Sequence, residues 1–149
     1  MPDATEPLRS EVRIAAPPEV VFAYFTDPAR MTAWMGIAAV LDPRPGGTFR
    51  VDANGRDVIV GEYLEVEPPT RVAFSWGYEG PERMVAAGST RVEVTLEPDG
   101  DGTRVVLLHH GLPDPLRDAH AGGWEHYLGR LAPVAAGEAP VPDPWIVNE

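Results

Sequence analysis

Apolar and polar residues alternate with a period of two along most of the chain, and this alternation predicts a sheet. In residues 91–96, for example, every second residue is Val or Leu and the residues between them are Arg, Glu and Thr. The same alternation runs through residues 8–14, 49–52 and 71–76. Each segment places an apolar face on a core and a polar face in water, as the strands of an antiparallel sheet do.

Two further strands are predicted in residues 58–67 and 103–112, although both faces of the first segment carry apolar residues. Asn54-Gly55 and Asp99-Gly100 interrupt the alternation and are typical of hairpin turns. Such short connections favour sequential antiparallel pairing over parallel crossovers.

Helical patterns occur near both ends of the chain. Pro17-Pro18-Glu19 opens one short helix, and Asp27-Pro28 caps a second one that runs towards Trp34. Near the C-terminus, an amphipathic helix is predicted to begin at residues 113–117 and to fray by Pro133, because its apolar residues recur at i, i+3, i+4 and i+7. Gly122-Gly123 lies inside this helix, where each glycine costs about 1 kcal/mol relative to Ala. A glycine there lets a neighbouring backbone approach or leaves space above a cavity.

The order of these elements is one strand, two short helices, about six strands and one long helix. A long helix must bury its apolar stripe on a sheet face. The pattern therefore predicts an α+β fold in which a sheet wraps around the C-terminal helix.

The last segment, residues 135–149, has a different character. Pro140, Pro142 and Pro144 exclude a helix and favour an extended tail. The apolar Trp145-Ile146-Val147 that follows predicts a tail that folds back onto the domain or, alternatively, contacts a partner chain. Val106 and Leu108 lie on the outward phase of their strand, so we expect this tail or a second subunit to cover them. A homodimer is one form that this would take.

Length and charge narrow the classes of function. The chain has 149 residues, enough for one domain, and a formal net charge of −11. All 12 basic residues are Arg and there is no Cys, which excludes disulfides, thiolate metal sites, a Cys nucleophile and a Schiff-base Lys. The acidic balance and the scattered Arg argue against binding of nucleic acid.

The sequence also bears on the compartment. No apolar stretch approaches the roughly 20 residues that span a bilayer, so no membrane insertion is expected. The first residues lack the basic start and apolar run of a signal peptide. We therefore expect a cytoplasmic protein.

Four motifs, in a fixed order, connect this chain with a known family. They are Ala16-Pro17-Pro18-Glu19-Val20-Val21-Phe22 with Trp34, then Pro45-Gly46-Gly47-Thr48-Phe49-Arg50, then Gly61-Glu62-Tyr63-Leu64-Glu65-Val66-Glu67-Pro68-Pro69 with Phe74-Ser75-Trp76, and Gly123-Trp124 with Leu128 and Leu131. The chain resembles the START-like (SRPBCC, helix-grip) superfamily, and within it the domain related to the activator of the heat-shock-protein-ninety ATPase.

The resemblance implies a helix-grip fold for residues 1–134: a curved seven-stranded antiparallel sheet around a long C-terminal helix, with two short helices after the first strand. It also implies a mostly apolar cavity between sheet and helix. We therefore expect residues 1–134 to bind a small hydrophobic or aromatic molecule, without a cofactor, and residues 135–149 to form a separate Pro-rich tail. The alternatives are a polyketide cyclase or aromatase acting in the same cavity, and co-chaperone-like protein binding through the outer surface.

The candidate ligand-binding residues are mainly large aromatic side chains that the helix-grip arrangement would bring together. Such side chains with a few polar tips suit a planar apolar ligand, although they can equally fill a core. The candidates are Trp34, Phe49, Trp76, Tyr78, Met84, His109, Trp124, Tyr127 and Leu128.

Catalytic and metal-binding patterns are sparse. His109 is the one candidate for chemistry, because it shares the inward phase of Val105 and Leu107 and could act as a general acid–base. The alternative is a histidine at the rim of the cavity whose hydrogen bond is satisfied by a backbone partner. His109 and the adjacent His110 point to opposite faces of a strand, so they cannot share a metal, and no metal site is predicted. An enzyme is accordingly the less favoured class of function.

Overall fold

Seven antiparallel strands and a long C-terminal helix form the fold of the computed structural model, which describes residues 6–80 and 84–146. The elements follow one another as β1 (Leu8–Ile14), α1 (Pro18–Ala23), α2 (Pro28–Met31), β2 (Ala38–Leu41), β3 (Thr48–Asp52), β4 (Val58–Glu67), β5 (Arg71–Trp76), β6 (Thr90–Asp99), β7 (Gly102–His110) and α3 (Asp114–Ala135). The sheet order is β1-β7-β6-β5-β4-β3-β2, so consecutive strands from β2 to β7 are neighbours. The predicted helix-grip fold is confirmed.

The structure of strand β4 explains why apolar residues occur on both faces of its sequence pattern. Its register against β5 shifts between Tyr63 and Glu65, which marks a β-bulge. Ile59 and Tyr63 face the core before the shift, and Val66 packs against the core after it. The inward phase therefore changes within the strand, so neither phase is apolar along its whole length.

The two short helices close one side of the core. Tyr63 is fully buried and its hydroxyl donates to the carbonyl oxygen of Phe25 at 2.8 Å, just after α1. The indole N–H of Trp34 donates to the carbonyl oxygen of Tyr24 at 3.0 Å. Both bonds satisfy backbone carbonyls that the helix end leaves without partners, and they hold the helices in place.

Helix α3 buries one face, which carries Trp124, Tyr127, Leu128 and Leu131. The expected end near Pro133 is wrong, because the helix continues to Ala135. Pro133 has no backbone N–H to donate to the carbonyl oxygen of Gly129, and the helix ends two residues further on. Within the described part of the chain, no helix is long and apolar enough to cross a membrane.

The expectation that the tail covers Val106 and Leu108 is wrong for the part of the tail that the structure describes. Trp145 instead stacks on His126 of α3, and Val147 lies outside the described residues. Val106 and Leu108 are half-buried between charged neighbours, since they pair with Glu11 and Arg9 of β1. Long charged side chains cover apolar surface with their stems, and cover by a second subunit stays a prediction.

Candidate functional site

A cavity of about 230 Å³ lies between the sheet and α3. It is formed by the β3–β4 turn, the ends of β4 and β5, the middle of α3 and the tail. Its lining residues are Ala53, Asn54, Asp57, Ile59, Trp76, Tyr78, Ala119, His120, Gly123, Trp124, Tyr127 and Trp145.

Aromatic rings make up most of the walls. The rings of Trp76 and Trp124 lie 5.0 Å apart, and Tyr78 meets Trp76 edge to face at 6.2 Å. On the other side, Tyr127 meets Trp145 edge to face at 5.7 Å. Walls of this kind present flat apolar faces to a planar molecule.

Gly123 keeps the cavity open on the helix side. A Cβ atom built at this position would meet no atom within 4 Å, so nothing packs where a side chain would be. A glycine inside a helix costs about 1 kcal/mol relative to Ala, and no close approach of a neighbouring backbone accounts for it here. Of the two explanations that the sequence offers for this glycine pair, space beside a cavity therefore fits Gly123.

Tyr78 and His120 form a polar pair in the cavity wall. Tyr78 Oη lies 3.1 Å from His120 Nε2, and His120 Nδ1 lies 3.0 Å from the carbonyl oxygen of Leu116. A carbonyl oxygen only accepts, so His120 Nδ1 carries a proton in this arrangement. When the ring carries this one proton, Nε2 accepts the hydrogen bond from Tyr78. His120 is thus held at Nδ1, with Nε2 directed at Tyr78.

Trp76 carries a second polar group of the site. Its side chain is buried, and its indole N–H has no acceptor among the residues that the structure describes. A buried indole N–H usually has a partner, and leaving one unsatisfied costs roughly 1–3 kcal/mol. This N–H is therefore an unsatisfied donor enclosed among the described residues.

His109 lies behind this wall and is completely buried. Trp124 Nε1–H donates to His109 Nδ1 at 3.1 Å, and His109 Nε2 lies 2.8 Å from the hydroxyl oxygen of Thr90. The Thr90 hydroxyl donates in turn to the carbonyl oxygen of Trp76 at 2.8 Å, so Nε2 carries the proton and Nδ1 accepts.

Burial, with smaller effects from His120 and His110, lowers the pKa of His109 from 6.5 to about 3. The ring is therefore neutral near pH 7, with both nitrogens engaged. His109 is therefore a histidine whose hydrogen bonds are satisfied inside the protein, and not a general acid–base. Its direct hydrogen-bond partners are side chains.

Four of the candidate residues from the sequence line the cavity together, namely Trp76, Tyr78, Trp124 and Tyr127. His109 supports two of them from behind through its hydrogen bonds. These positions come together because β5 ends beneath the middle of α3.

The other four candidates lie elsewhere. Trp34, Phe49 and Leu128 are buried in the core, where Phe49 stacks on Phe74 with ring centroids 4.1 Å apart. Met84 lies in a loop and is 62% exposed. Periodicity identifies which residues face inward, but not which of them lie at the end of the sheet where packing is incomplete.

The structure also brings residues into the wall that the sequence does not single out as ligand contacts. The spacing of His120 bears only on metal binding, and Trp145 is predicted only as part of a tail. Asn54 and Asp57 belong to a turn whose sequence predicts a hairpin connection. Among the described residues, no three potential metal-ligating side chains come together.

The surroundings of the site are acidic. Burial, and to a smaller extent the carboxylate of Asp143, raises the pKa of Tyr127 to about 12. The Tyr127 hydroxyl is therefore protonated near neutral pH, with acidic groups nearby. Such surroundings favour a neutral or cationic ligand over an anionic one.

The fold and the cavity define a helix-grip protein with an aromatic site between a curved sheet and its C-terminal helix. Residues 15–136 match the family described as Activator of Hsp90 ATPase homolog 1-like protein. The chain belongs to this family, which confirms the resemblance that its four motifs predict.

Similar proteins share this architecture. The AHSA1-like protein of Rhizobium etli is 43% identical, with a TM-score of 0.75, and the match covers 100% of this chain and 92% of that one. DynU16, a protein of the dynemicin biosynthetic locus, is 27% identical, with a TM-score of 0.78 and coverage of 93% of this chain and 49% of DynU16.

A curated protein of Schizosaccharomyces pombe is 24% identical over 115 residues, which are 77% of this chain and 32% of the yeast protein. The chain therefore spans about a third of the length of this relative and about half of DynU16.

The neutral His109 makes a testable contribution to the pH dependence of stability. Below pH 6.5 the unfolded chain binds a proton at this residue that the folded protein does not bind until about pH 3. The contribution of His109 to the free energy of unfolding is therefore fully present above pH 6.5. It falls on acidification by at most about 1.4 kcal/mol per pH unit. We expect the stability advantage of the wild type over His109→Gln, measured by urea unfolding, to shrink between pH 6.5 and 4.

His110→Gln is the matched control, because His110 lies on the outer face beside Glu93. A stability difference between wild type and His109→Gln that stays constant over this pH range would contradict a neutral, buried His109.

Proposed function

We propose that this protein binds a small planar aromatic molecule in the cavity between the sheet and α3. The observation that carries the proposal is a wall of aromatic rings with an unfilled space at Gly123. Both are features of a binding site, since a core of the same residues would pack to native density. The membership in a family with helix-grip architecture supports the same conclusion.

The volume limits the size of the ligand. An engineered cavity of about 150 Å³ accepts benzene, and sites for drug-sized ligands begin at about 300 Å³. A cavity of about 230 Å³ lies between these values. A ligand of one or two fused rings fits this space.

The polar groups limit its chemistry. The Tyr78 hydroxyl lies in the cavity wall, where it can accept a hydrogen bond from a ligand O–H or donate to a ligand carbonyl in place of His120. The ligand class that we propose is therefore a neutral aromatic alcohol or ketone. The origin of DynU16 in a biosynthetic locus supports a role with a small organic molecule.

Gly123→Ala tests the proposal, with Gly122→Ala as a matched control. Gly122 is exposed and also has open space around its Cβ position, so each substitution is expected to raise stability by about 1 kcal/mol. Only Gly123→Ala places a methyl group in the cavity. We expect β-naphthol to bind the wild type and Gly122→Ala alike in calorimetric titration, and to bind Gly123→Ala at least tenfold more weakly.

Equal binding to all three proteins would contradict the position of the site. No binding of β-naphthol, naphthalene or β-tetralone to the wild type would contradict the proposed function.

A second candidate function is proton transfer on a ketone bound in the same cavity. The specific observation in its favour is that the carbonyl oxygen of Leu116 holds His120 at Nδ1 and leaves Nε2 directed at Tyr78 Oη. This geometry is what a general base requires, namely a side chain oriented by a third group.

Deuterium exchange into the carbon next to the carbonyl of β-tetralone, followed by NMR, measures this activity. We expect the wild type to catalyse exchange, and Tyr78→Phe and His120→Gln to slow it by about 100-fold. Wild-type protein that binds β-tetralone without accelerating its exchange would contradict the enzyme and leave the binding function in place.

A further inference from the structure

The tail beyond the family domain returns to the cavity. The family match ends at residue 136, and the backbone reverses direction at Gly137, which has a φ of +104°. An exposed segment follows, and the chain then meets α3 again at Asp143. The side chain of Asp143 is only 2% exposed, so this end of the tail is held against the helix.

Asp143 is anchored by several groups at once. Its Oδ1 lies 2.9 Å from His126 Nε2 and accepts a hydrogen bond of 2.9 Å from the backbone N–H of Trp145. Arg130 Nε lies 3.9 Å from Oδ2, which accepts no hydrogen bond within the described chain. Burial of a carboxylate costs several kcal/mol unless it is paired, so the position of the tail depends on these partners.

Trp145 extends from this anchor to the cavity. Its ring stacks on His126 with centroids 3.6 Å apart and planes 9° from parallel, and it lines the cavity beside Tyr127. Trp145 is 45% exposed, whereas Trp124 on the inner wall is 3% exposed. The Trp145 indole therefore forms the outer edge of the cavity.

We infer that residues 143–145 form a gate, in which Asp143 fastens the tail to α3 and Trp145 sets the length of the ligand that the cavity accepts. This inference rests on the proposed function. The geometry supports it because Trp145 is, among the described residues, the one lining residue from outside residues 15–136, where the family match lies. Removal of its ring lengthens the cavity outward without disturbing the inner wall.

The experiment compares β-naphthol, which has two rings, with β-anthrol, which has three, in the full-length protein. Loss of an aromatic contact of about 0.5–1.5 kcal/mol corresponds to about a 2–10-fold change in affinity. We expect Trp145→Ala to bind β-naphthol 2–10-fold more weakly than the wild type does. The same variant is expected to shift the affinity ratio at least tenfold in favour of β-anthrol.

Two further variants separate the roles of the gate. Val141→Ala is the control, because Val141 lies in the same tail, is 65% exposed and does not line the cavity. Asp143→Asn keeps the shape of the anchor and removes its charge. We expect it to accelerate dissociation of β-naphthol at least threefold and to speed hydrogen exchange of the Trp145 backbone N–H, which needs no ligand.

Unchanged affinities in Trp145→Ala together with unchanged exchange in Asp143→Asn would overturn the gate and leave the proposed function intact. Absence of β-naphthol and β-anthrol binding in the wild type would overturn the gate, and absence of naphthalene and β-tetralone binding as well would overturn the proposed function. Binding by the wild type, with selectivity altered in Trp145→Ala and unaltered in Val141→Ala, supports the gate.

Discussion

A relay of three hydrogen bonds through buried side chains fixes helix α3 over the sheet. It runs from the indole of Trp124 on α3 through His109 on β7 and Thr90 on β6 to the backbone of Trp76 on β5. Each donor in the relay has one acceptor, so the direction of every bond is determined. Protonation of His109 would turn Nδ1 into a donor that faces the indole N–H of Trp124, which is why the relay requires a neutral histidine.

The relay also positions the cavity. Trp124 and Trp76 are its two ends, and their rings form the inner wall. With these rings held in place, the space next to Gly123 stays open instead of collapsing. Glycine at this position makes the helix about 1 kcal/mol less stable than alanine would. The indole N–H of Trp76 has no hydrogen-bond partner among the described residues. Local costs of this kind accumulate at functional sites.

The fold is predictable from the sequence because its strands and long helix carry strong periodic patterns. Strand β2 has no such pattern, since residues 38–41 are all apolar, and periodicity does not identify it individually. The observed end of α3 differs from the predicted end because Pro133 lies in the last turn, where the sequence pattern alone suggests that the helix stops.

The site is less predictable than the fold. An inward-facing position does not distinguish Phe49 in the packed core from Trp76 at the cavity. Contacts between distant segments, such as Trp145 on His126, leave no periodic signal.

The proposed binding site for an aromatic ligand is the space beneath Gly123. Intermolecular nuclear Overhauser effects in the complex with β-naphthol test it most directly. We expect contacts from the naphthol ring protons to the indole protons of Trp76 and Trp124. Contacts confined to side chains of the outer sheet face, such as Leu64 and Ser75, would contradict it.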